Sequence, residues 1–170
     1  MLQRKGSSMT AVKPAFPAPD HDHDRCAAEG LEYAERICAD RSQNLTPIRR
    51  HVLRALLSSH RPLGAYEVIE ELARVMPRPA PITVYRALDF LMQNGLVHRI
   101  ESRNAFLACG REHDDASAVA FLICESCGSV GEIPAAAVAQ SLSEAARQTG
   151  FTPSLSVVEI TGLCGHCQSP

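Results

Sequence analysis

The sequence has no tryptophan among its 170 residues, and aromatic residues make up only 5% of it. No apolar run approaches the length of a membrane-spanning helix, which excludes a helical membrane span. No secretory signal peptide is visible at the N-terminus, so we expect a protein that is not exported. Seven cysteines, an odd number, are a poor basis for a disulfide framework. We therefore expect a reducing compartment, most simply a bacterial cytoplasm, and one large or two small domains.

Four of the cysteines form two pairs with the same inner spacing. Cys124 and Cys127 are one pair, Cys164 and Cys167 are the other, and 36 residues separate the pairs. Two residues between cysteines let both thiolates bind one ion, and two such pairs complete the tetrahedral shell that zinc prefers. We predict a structural zinc site that contributes folding free energy. Disulfides or unrelated thiols are the alternative interpretation.

The net charge of −2 conceals a division along the chain. Residues 46–100 contain eight arginines and four acidic residues, a balance of +4. Residues 101–170 contain three arginines and eight acidic residues, a balance of −5. A polyanionic partner would therefore bind the basic middle segment. A solvated arginine face without such a partner is the alternative.

The N-terminal segment is rich in proline, alanine and small polar residues and has little to bury. We predict a disordered tail over residues 1–25. Metal-capable side chains cluster at its end, namely His21, His23 and Cys26. They are either incidental in a flexible tail or an auxiliary metal contact that orders it.

Helical periodicity dominates the segment after the tail. Apolar spacing together with start and stop signals predicts four helices, over residues 27–41, from Thr46-Pro47 to about Leu57, over Ala65–Met76 and over Ile82–Asn94. Two alternating segments, Leu96–Ile100 and Ala105–Cys109, predict a hairpin. Helices followed by a hairpin indicate a winged helix-turn-helix domain, which we assign to residues 26–108. A helical module that binds no nucleic acid is the alternative, and the arginine excess favours DNA.

The rest of the chain, residues 109–170, predicts a small α/β domain built around the four-cysteine site. Strands are predicted over residues 119–123, 130–133 and 155–161, with a helix over 134–149. The predicted fold class is therefore α+β, a winged helix-turn-helix domain followed by this smaller domain.

Several stretches together resemble the ferric uptake regulator family, and within it the zinc-uptake branch. They are L-T-P-I-R-R at 45–50, A-Y at 65–66, P-I-T-V-Y-R-A-L-D-F-L at 81–91, G-L-V-H at 95–98, F-L-I-C-E-S-C-G at 121–128 and G-L-C-G-H-C at 162–167. The resemblance covers residues 26–168. It implies a transcription regulator and not an enzyme, with a homodimer built by the C-terminal strands and helix. It also implies a hinge near residues 100–110.

The resemblance implies that three arginines touch DNA. Arg86 would bind base edges, since its bidentate geometry suits guanine O6 and N7. Arg49 and Arg50 would bind phosphates, which position a protein on DNA without specifying sequence.

Three further side chains are implied at the same surface. Tyr66 would contact a base or its sugar, and Thr83 with Tyr85 would contact a phosphate. Ordinary half-buried packing is the alternative for both tyrosines.

The zinc-uptake branch further implies a second, regulatory metal site. Three of its ligand positions hold His98, Cys109 and Glu132, a mixed donor set that suits zinc better than hard octahedral ions. Members of the branch usually have a histidine seven residues before Cys124, and this chain has Ser117 there. We predict that His113 supplies the fourth ligand instead. The alternatives are a water molecule and the side chains Asp114, Asp115, His21, His23 and Cys26.

The function that the resemblance implies is a zinc-responsive repressor with two Zn²⁺ per subunit. It would bind operator DNA as a dimer when zinc is abundant and repress zinc-uptake genes, with no membrane or small-molecule substrate involved. The H-H-x-H run of the iron- and peroxide-sensing branches is absent, since residues 118–121 are A-V-A-F. The alternative is a member of the family that senses another metal, iron or manganese, or that senses peroxide through thiol oxidation.

Overall fold

The computed structural model describes residues 15–16, 23–59, 61–109, 118–154 and 156–168. Four helices and a short hairpin come first, and a three-stranded sheet with two helices follows. The predicted fold class is confirmed: this is an α+β chain with a winged helix-turn-helix followed by a smaller α/β unit that holds four clustered cysteines. The division into 26–108 and 109–170 stays a prediction.

The winged helix-turn-helix is built from helices whose apolar faces meet in one core. These are α1 (His23–Asp40), α2 (Pro47–Leu57), α3 (Ala65–Ala73) and α4 (Pro81–Gln93). Each buries residues at helical spacing, as an amphipathic pattern requires; the largest fully buried side chains there are Val52, Leu53, Leu56, Val68, Ile69, Leu72, Val84, Leu88 and Leu91. Cys38 lies in the same core at 2% exposure, as a packed small apolar residue.

The boundaries of α1 to α4 follow local chemistry, and two of them differ from prediction by more than one residue. Proline opens both α2 and α4, where its missing N–H has no helical acceptor to lose, and Gly95 ends α4 with φ of 68°. Helix α1 begins at His23, inside the segment predicted to be disordered, and α3 ends at Ala73 instead of Met76. The chain after Ala73 forms turns before the proline-rich segment.

The predicted hairpin is present and slightly shorter than expected. Strands β1 (Val97–Ile100) and β2 (Ala105–Ala108) pair antiparallel, joined by the 3-10 turn Glu101–Arg103 and by Asn104 with φ of 46°. We call residues 97–108 the wing. Leu63 forms a single antiparallel bridge with Phe106, which fixes the wing to the helices.

The smaller unit is a mixed sheet, which we call the sheet, in the order β4-β3-β5. Strand β3 (Val119–Cys124) pairs antiparallel with β4 (Val130–Pro134) and parallel with β5 (Val158–Gly162). A parallel neighbour needs a crossover, which helix α5 (Ala136–Gln148) supplies. A short helix, α6 (Gly165–Gln168), ends the described chain and was not predicted.

The wing rests on one face of the sheet through a second, smaller apolar core. Ile100 and Leu107 of the wing are buried against Phe121, Ile123 and Val130 of the sheet. Burial of apolar surface between the two units stabilises this arrangement at about 25 cal/mol per Å². The fold thus brings the end of the winged domain directly over the strands that carry the first cysteine pair.

Helix α5 buries none of its residues in the single chain. Val138 and Leu142, the apolar side of this helix in the sequence pattern, are 49% and 47% exposed. Among the described residues, no helix is long and apolar enough to cross a membrane.

Candidate functional site

The structure brings the four paired cysteines to one point. The sulfurs of Cys124, Cys127, Cys164 and Cys167 lie within 4.8 Å of one another. Cys127 and Cys164 place their sulfurs 3.9 Å apart, close to the edge of about 3.8 Å that a tetrahedron with zinc–sulfur bonds of about 2.3 Å requires. The donor set and its spacing therefore fit one zinc ion. Cys124 ends β3 and Cys127 lies in the turn that follows it, whereas Cys164 lies between β5 and α6 and Cys167 lies in α6.

The local backbone prepares one of these thiols for metal. The N–H groups of Cys127 and Cys164 donate to the sulfur of Cys124 and lower the pKa of that thiol to about 6. Ser126 alone would lower the pKa of Cys167, but the neighbouring Cys164 thiol and burial outweigh it and raise that pKa to about 11. The lowered pKa of Cys124 favours its thiolate, which is the form that binds metal.

Two arginines of the winged domain border the first cysteine pair. A Cβ placed on Gly128 would lie 3.7 Å from Nη1 of Arg103 and 3.7 Å from Cδ of Arg61. Four thiolates around one divalent cation carry a net charge of about −2, so nearby guanidinium groups are electrostatically favourable. The position itself needs glycine, because its φ is 75°.

A second cluster forms where the wing meets the sheet. One ligand atom each from His98, Cys109 and Glu132 lies within 4.8 Å of the others. The Cys109 sulfur is 3.8 Å from Oε2 of Glu132, and Glu132 is only 5% exposed. The His98 ring also packs on Phe121, with ring centroids 5.2 Å apart.

Each member of this second cluster comes from a different part of the chain. His98 lies in β1, Cys109 directly follows β2, and Glu132 lies in β4. One imidazole, one thiolate and one carboxylate are ligands that zinc accepts in a tetrahedral shell. The donors therefore fit a zinc ion with one position left for a further ligand.

The side chains predicted as that further ligand lie outside the described residues. This applies to His113, to its alternatives Asp114 and Asp115, and to His21 in the tail. His23 begins α1, but its side chain is not among those described, and Cys26 is half-buried in the same helix. The fourth ligand therefore stays a prediction.

Helix α4 presents a polar face to solvent. Thr83, Tyr85 and Arg86 are exposed on it, with Tyr85 at 41%. Tyr66, at the start of α3, is 64% exposed, so neither tyrosine is a half-buried packing residue of the core. These positions suit contacts with a partner; their DNA contacts stay a prediction.

Arg49 and Arg50 are half-buried and have partners within the fold, and their phosphate contacts stay a prediction. The Arg49 guanidinium stacks on the Phe90 ring at 3.4 Å from its centroid and donates to the Asn44 carbonyl at 2.6 Å. Arg50 forms an ion pair with Glu35 of α1. A planar cation gains from an aromatic face and an acceptor in its own fold, so both arginines contribute to the scaffold.

Sequence reasoning overlooked Glu159. Its carboxylate accepts hydrogen bonds from the backbone N–H groups of Glu101, at 2.6 Å, and Ser102, at 3.1 Å. Glu159 lies in β5 and the two donors lie in the 3-10 turn of the wing. The signal available was an acidic residue inside the apolar strand V-V-E-I-T.

Comparison with protein families gives one match over most of the chain. The model of the ferric uptake regulator family matches residues 40–161. The zinc uptake regulation protein of Escherichia coli strain K12 is 39% identical over 139 residues, which are 82% of this chain and 81% of that protein.

Comparison with solved structures gives the same result. A zinc uptake regulator complexed with zinc and DNA has a TM-score of 0.79 at 38% identity, covering 84% of this chain and 95% of that one. Holo XcZur has a TM-score of 0.76 at 41% identity, covering 84% and 99%. Apo XcZur, with 40% identity and 85% and 99% coverage, reaches only 0.50. The chain therefore superposes better on the holo form of that relative than on its apo form.

Proposed function

We propose that this chain, which belongs to the ferric uptake regulator family, is a zinc-responsive transcriptional repressor that binds operator DNA when zinc is abundant. Its targets would be genes of zinc uptake. The relatives that support this assignment are zinc uptake regulators, one of them in complex with zinc and DNA.

The observation that carries the proposal is the convergence of His98, Cys109 and Glu132 from the wing and the sheet. These side chains can hold one ion together only when the wing rests on the sheet. Zinc, when bound, supplies the single cationic centre that such donors share. A ligand that binds one of two arrangements shifts the equilibrium toward it by its difference in affinity.

We assign a different role to each of two zinc sites per subunit. The four cysteines hold a structural ion, because all four positions of a tetrahedral shell are filled by protein thiolates. His98, Cys109 and Glu132 hold the regulatory ion with His113 as fourth ligand. A nearly complete shift between two states takes about 5.5 kcal/mol, which a zinc site, worth about 10 kcal/mol or more in small peptides, can supply.

DNA recognition falls to helix α4 and its surroundings. Arg86 reads base edges, Tyr66 contacts a base or sugar, and Thr83 with Tyr85 binds phosphate; all four are exposed. Arg49 and Arg50 would bind phosphate only in addition to their contacts within the fold. The placement of a helix in a major groove by a helix-turn-helix domain supports this assignment.

We further propose that the working unit is a homodimer in a reducing cytoplasm. The apolar side chains of α5 and β5 have no cover in the single chain, with Leu142 47% and Ile160 50% exposed. Exposed apolar surface on consecutive elements is typical of a protein–protein interface, and a two-fold dimer would present two copies of α4 to successive major grooves.

The experiment that tests this function compares metals. A DNA duplex is selected by the zinc-loaded protein from a random-sequence pool, and its binding is measured over buffered free concentrations of Zn²⁺, Fe²⁺ and Mn²⁺. We expect zinc to promote binding at concentrations at least about tenfold lower than the other ions, as a thiolate-containing site requires. Binding that needs Fe²⁺ or Mn²⁺, or binding equally tight without metal, would contradict the proposal.

A peroxide-sensing alternative has its own outcome in the same assay. If the thiolates are the sensor, mild peroxide treatment releases zinc from the protein and abolishes DNA binding. We expect zinc content and DNA binding to survive that treatment.

A further inference from the structure

Two glutamates of the sheet flank one phenylalanine. Glu132 of β4 and Glu159 of β5 are both in register with Phe121 of β3. Paired residues in register point to the same face of a sheet, so the three side chains form one row across it. This row lies under the wing and touches it at three points.

Each point of contact has a different chemistry. At one end Glu132 joins the cluster of His98 and Cys109. In the middle Phe121 packs in the apolar core between wing and sheet. At the other end Glu159 accepts the N–H groups of the 3-10 turn at the tip of the wing.

The Glu159 contact is chemically well matched. The first N–H groups of a helical turn have no acceptor within the turn, and a carboxylate there makes charge-assisted hydrogen bonds. Each carboxylate oxygen of Glu159 takes one donor, Oε1 from Glu101 and Oε2 from Ser102. The carboxylate of Glu101 itself is paired with Arg99 at 3.3 Å, which lessens its repulsion of Glu159.

We propose that Glu159 is a latch that holds the tip of the wing on the sheet without metal and thereby sets the zinc concentration at which the regulatory site fills. The latch rests on the proposed function, because it acts through the affinity of that site. None of the three described residues of the regulatory cluster, His98, Cys109 and Glu132, belongs to β5, so the two contacts lie at different places on the sheet and are connected through the wing.

The latch and the metal site favour the same arrangement, so they are thermodynamically coupled. When the binding-competent arrangement is only partly populated, apparent affinity falls in proportion to that population. Loss of the latch lowers the population and therefore weakens zinc binding by the same factor. For two hydrogen bonds at a partly exposed position we expect a factor of about three to ten.

The test uses the full chain with its structural site loaded and titrates the regulatory site with Zn²⁺ in competition with a chromophoric chelator. Glu159→Ala removes both acceptors, and we expect regulatory zinc affinity to fall about three- to tenfold with one zinc per subunit still retained. Glu101→Gln is the matched control, since it removes one negative charge from the same turn and keeps the N–H that Glu159 binds. We expect the control to stay within about twofold of wild type.

A second readout is independent of zinc affinity. Hydrogen exchange at the amides of Glu101 and Ser102 is measured before the regulatory site is filled. We expect both amides to be protected in wild type and to exchange at least about tenfold faster in Glu159→Ala.

The outcomes separate the latch from the proposed function. Unchanged zinc affinity or unchanged amide protection in Glu159→Ala overturns the latch while leaving zinc-dependent DNA binding of the wild type intact. Absence of a second zinc site in the wild type overturns the proposed function instead. If Glu159→Ala loses its structural zinc, Glu159→Gln is tested in its place. A fall of at least about twofold in regulatory zinc affinity supports the latch, and an unchanged affinity overturns it.

Discussion

Glu132 and Glu159 lie on opposite sides of Phe121 in one row of the sheet, Glu132 beside His98 of the wing and Glu159 against the 3-10 turn at the tip of the wing. Two carboxylates of the sheet thus face the wing, each with different neighbours. Glu132 is buried beside His98 and Cys109, whereas the half-buried Glu159 accepts hydrogen bonds from backbone N–H groups. Under the proposed function, the wing is held on the sheet by one contact that depends on metal and by one that does not.

The four-cysteine cluster predicts a large loss of stability when it is broken. Cys164→Ser removes one thiolate of four, so we expect loss of the structural zinc and a fall of several kcal/mol in the free energy of unfolding, since such sites contribute about 10 kcal/mol or more in peptides. Zinc content by elemental analysis and denaturant unfolding measure both. Cys38→Ala is the control for zinc content, because Cys38 packs in the helical core outside both clusters. Equal zinc content in the two variants would refute the structural site.

We expect substitution of Arg86 to affect DNA binding and substitution of Arg49, in the same domain, to affect stability. Arg86 is exposed on α4, so Arg86→Ala should leave stability within about 0.5 kcal/mol and weaken DNA binding by about 1–3 kcal/mol. Arg49 stacks on Phe90, so Arg49→Ala should lower the free energy of unfolding by about 1–2 kcal/mol. Thermal unfolding and DNA titration of both variants check this. A stable Arg49→Ala with poor DNA binding would assign Arg49 to phosphate contact instead.

Gly131 of β4 lies against Ala15 of the N-terminal tail. A Cβ on Gly131 would lie 2.7 Å from the Ala15 carbonyl oxygen, which is too close for any side chain. Gly131→Ala should therefore destabilise the full chain by about 1–3 kcal/mol and have little effect in a chain that begins at residue 17. Denaturant unfolding of the four combinations forms a double-mutant cycle. Equal destabilisation in both backgrounds would show that Ala15 does not occupy this position.

His113 is the predicted fourth ligand of the regulatory site. His113→Ala should weaken the zinc response of DNA binding by roughly tenfold or more, while structural zinc is retained. The measurement is half-maximal DNA binding over buffered free zinc. An unchanged midpoint would shift the assignment to the tail, which His21→Ala and His23→Ala then test.

The sequence predicted the elements of the fold well where local physics decides them. Proline at Pro47 and glycine at Gly95 mark helix boundaries that the structure confirms. Helix α6 was not predicted, because its four residues are too few to show a periodic pattern. The early start of α1 was not predicted either, because the composition of its first turn favours disorder over helix.

A metal site could be predicted from the sequence alone where its ligands follow a recognisable spacing. The two C-x2-C pairs predict the four-cysteine cluster directly. His98, Cys109 and Glu132 have no such spacing, and their site was predicted from the family resemblance. The acidic residue inside an apolar strand was the only signal for Glu159, and it does not identify the partners, which are backbone N–H groups 57 and 58 residues away. The contact of Arg49 with Phe90 depends on the crossing of α2 and α4, which no sequence period specifies.

The most direct test of the central claim is a stoichiometric titration. Protein that holds one zinc per subunit is mixed with the selected DNA duplex, and DNA binding is followed while a second equivalent of Zn²⁺ is added to wild type and to Cys109→Ser. We expect wild type to bind DNA in proportion to the second equivalent and Cys109→Ser, still carrying its first zinc, to stay unbound. Full DNA binding by wild type at one equivalent, or by Cys109→Ser at two, would contradict a regulatory site at the joint between wing and sheet.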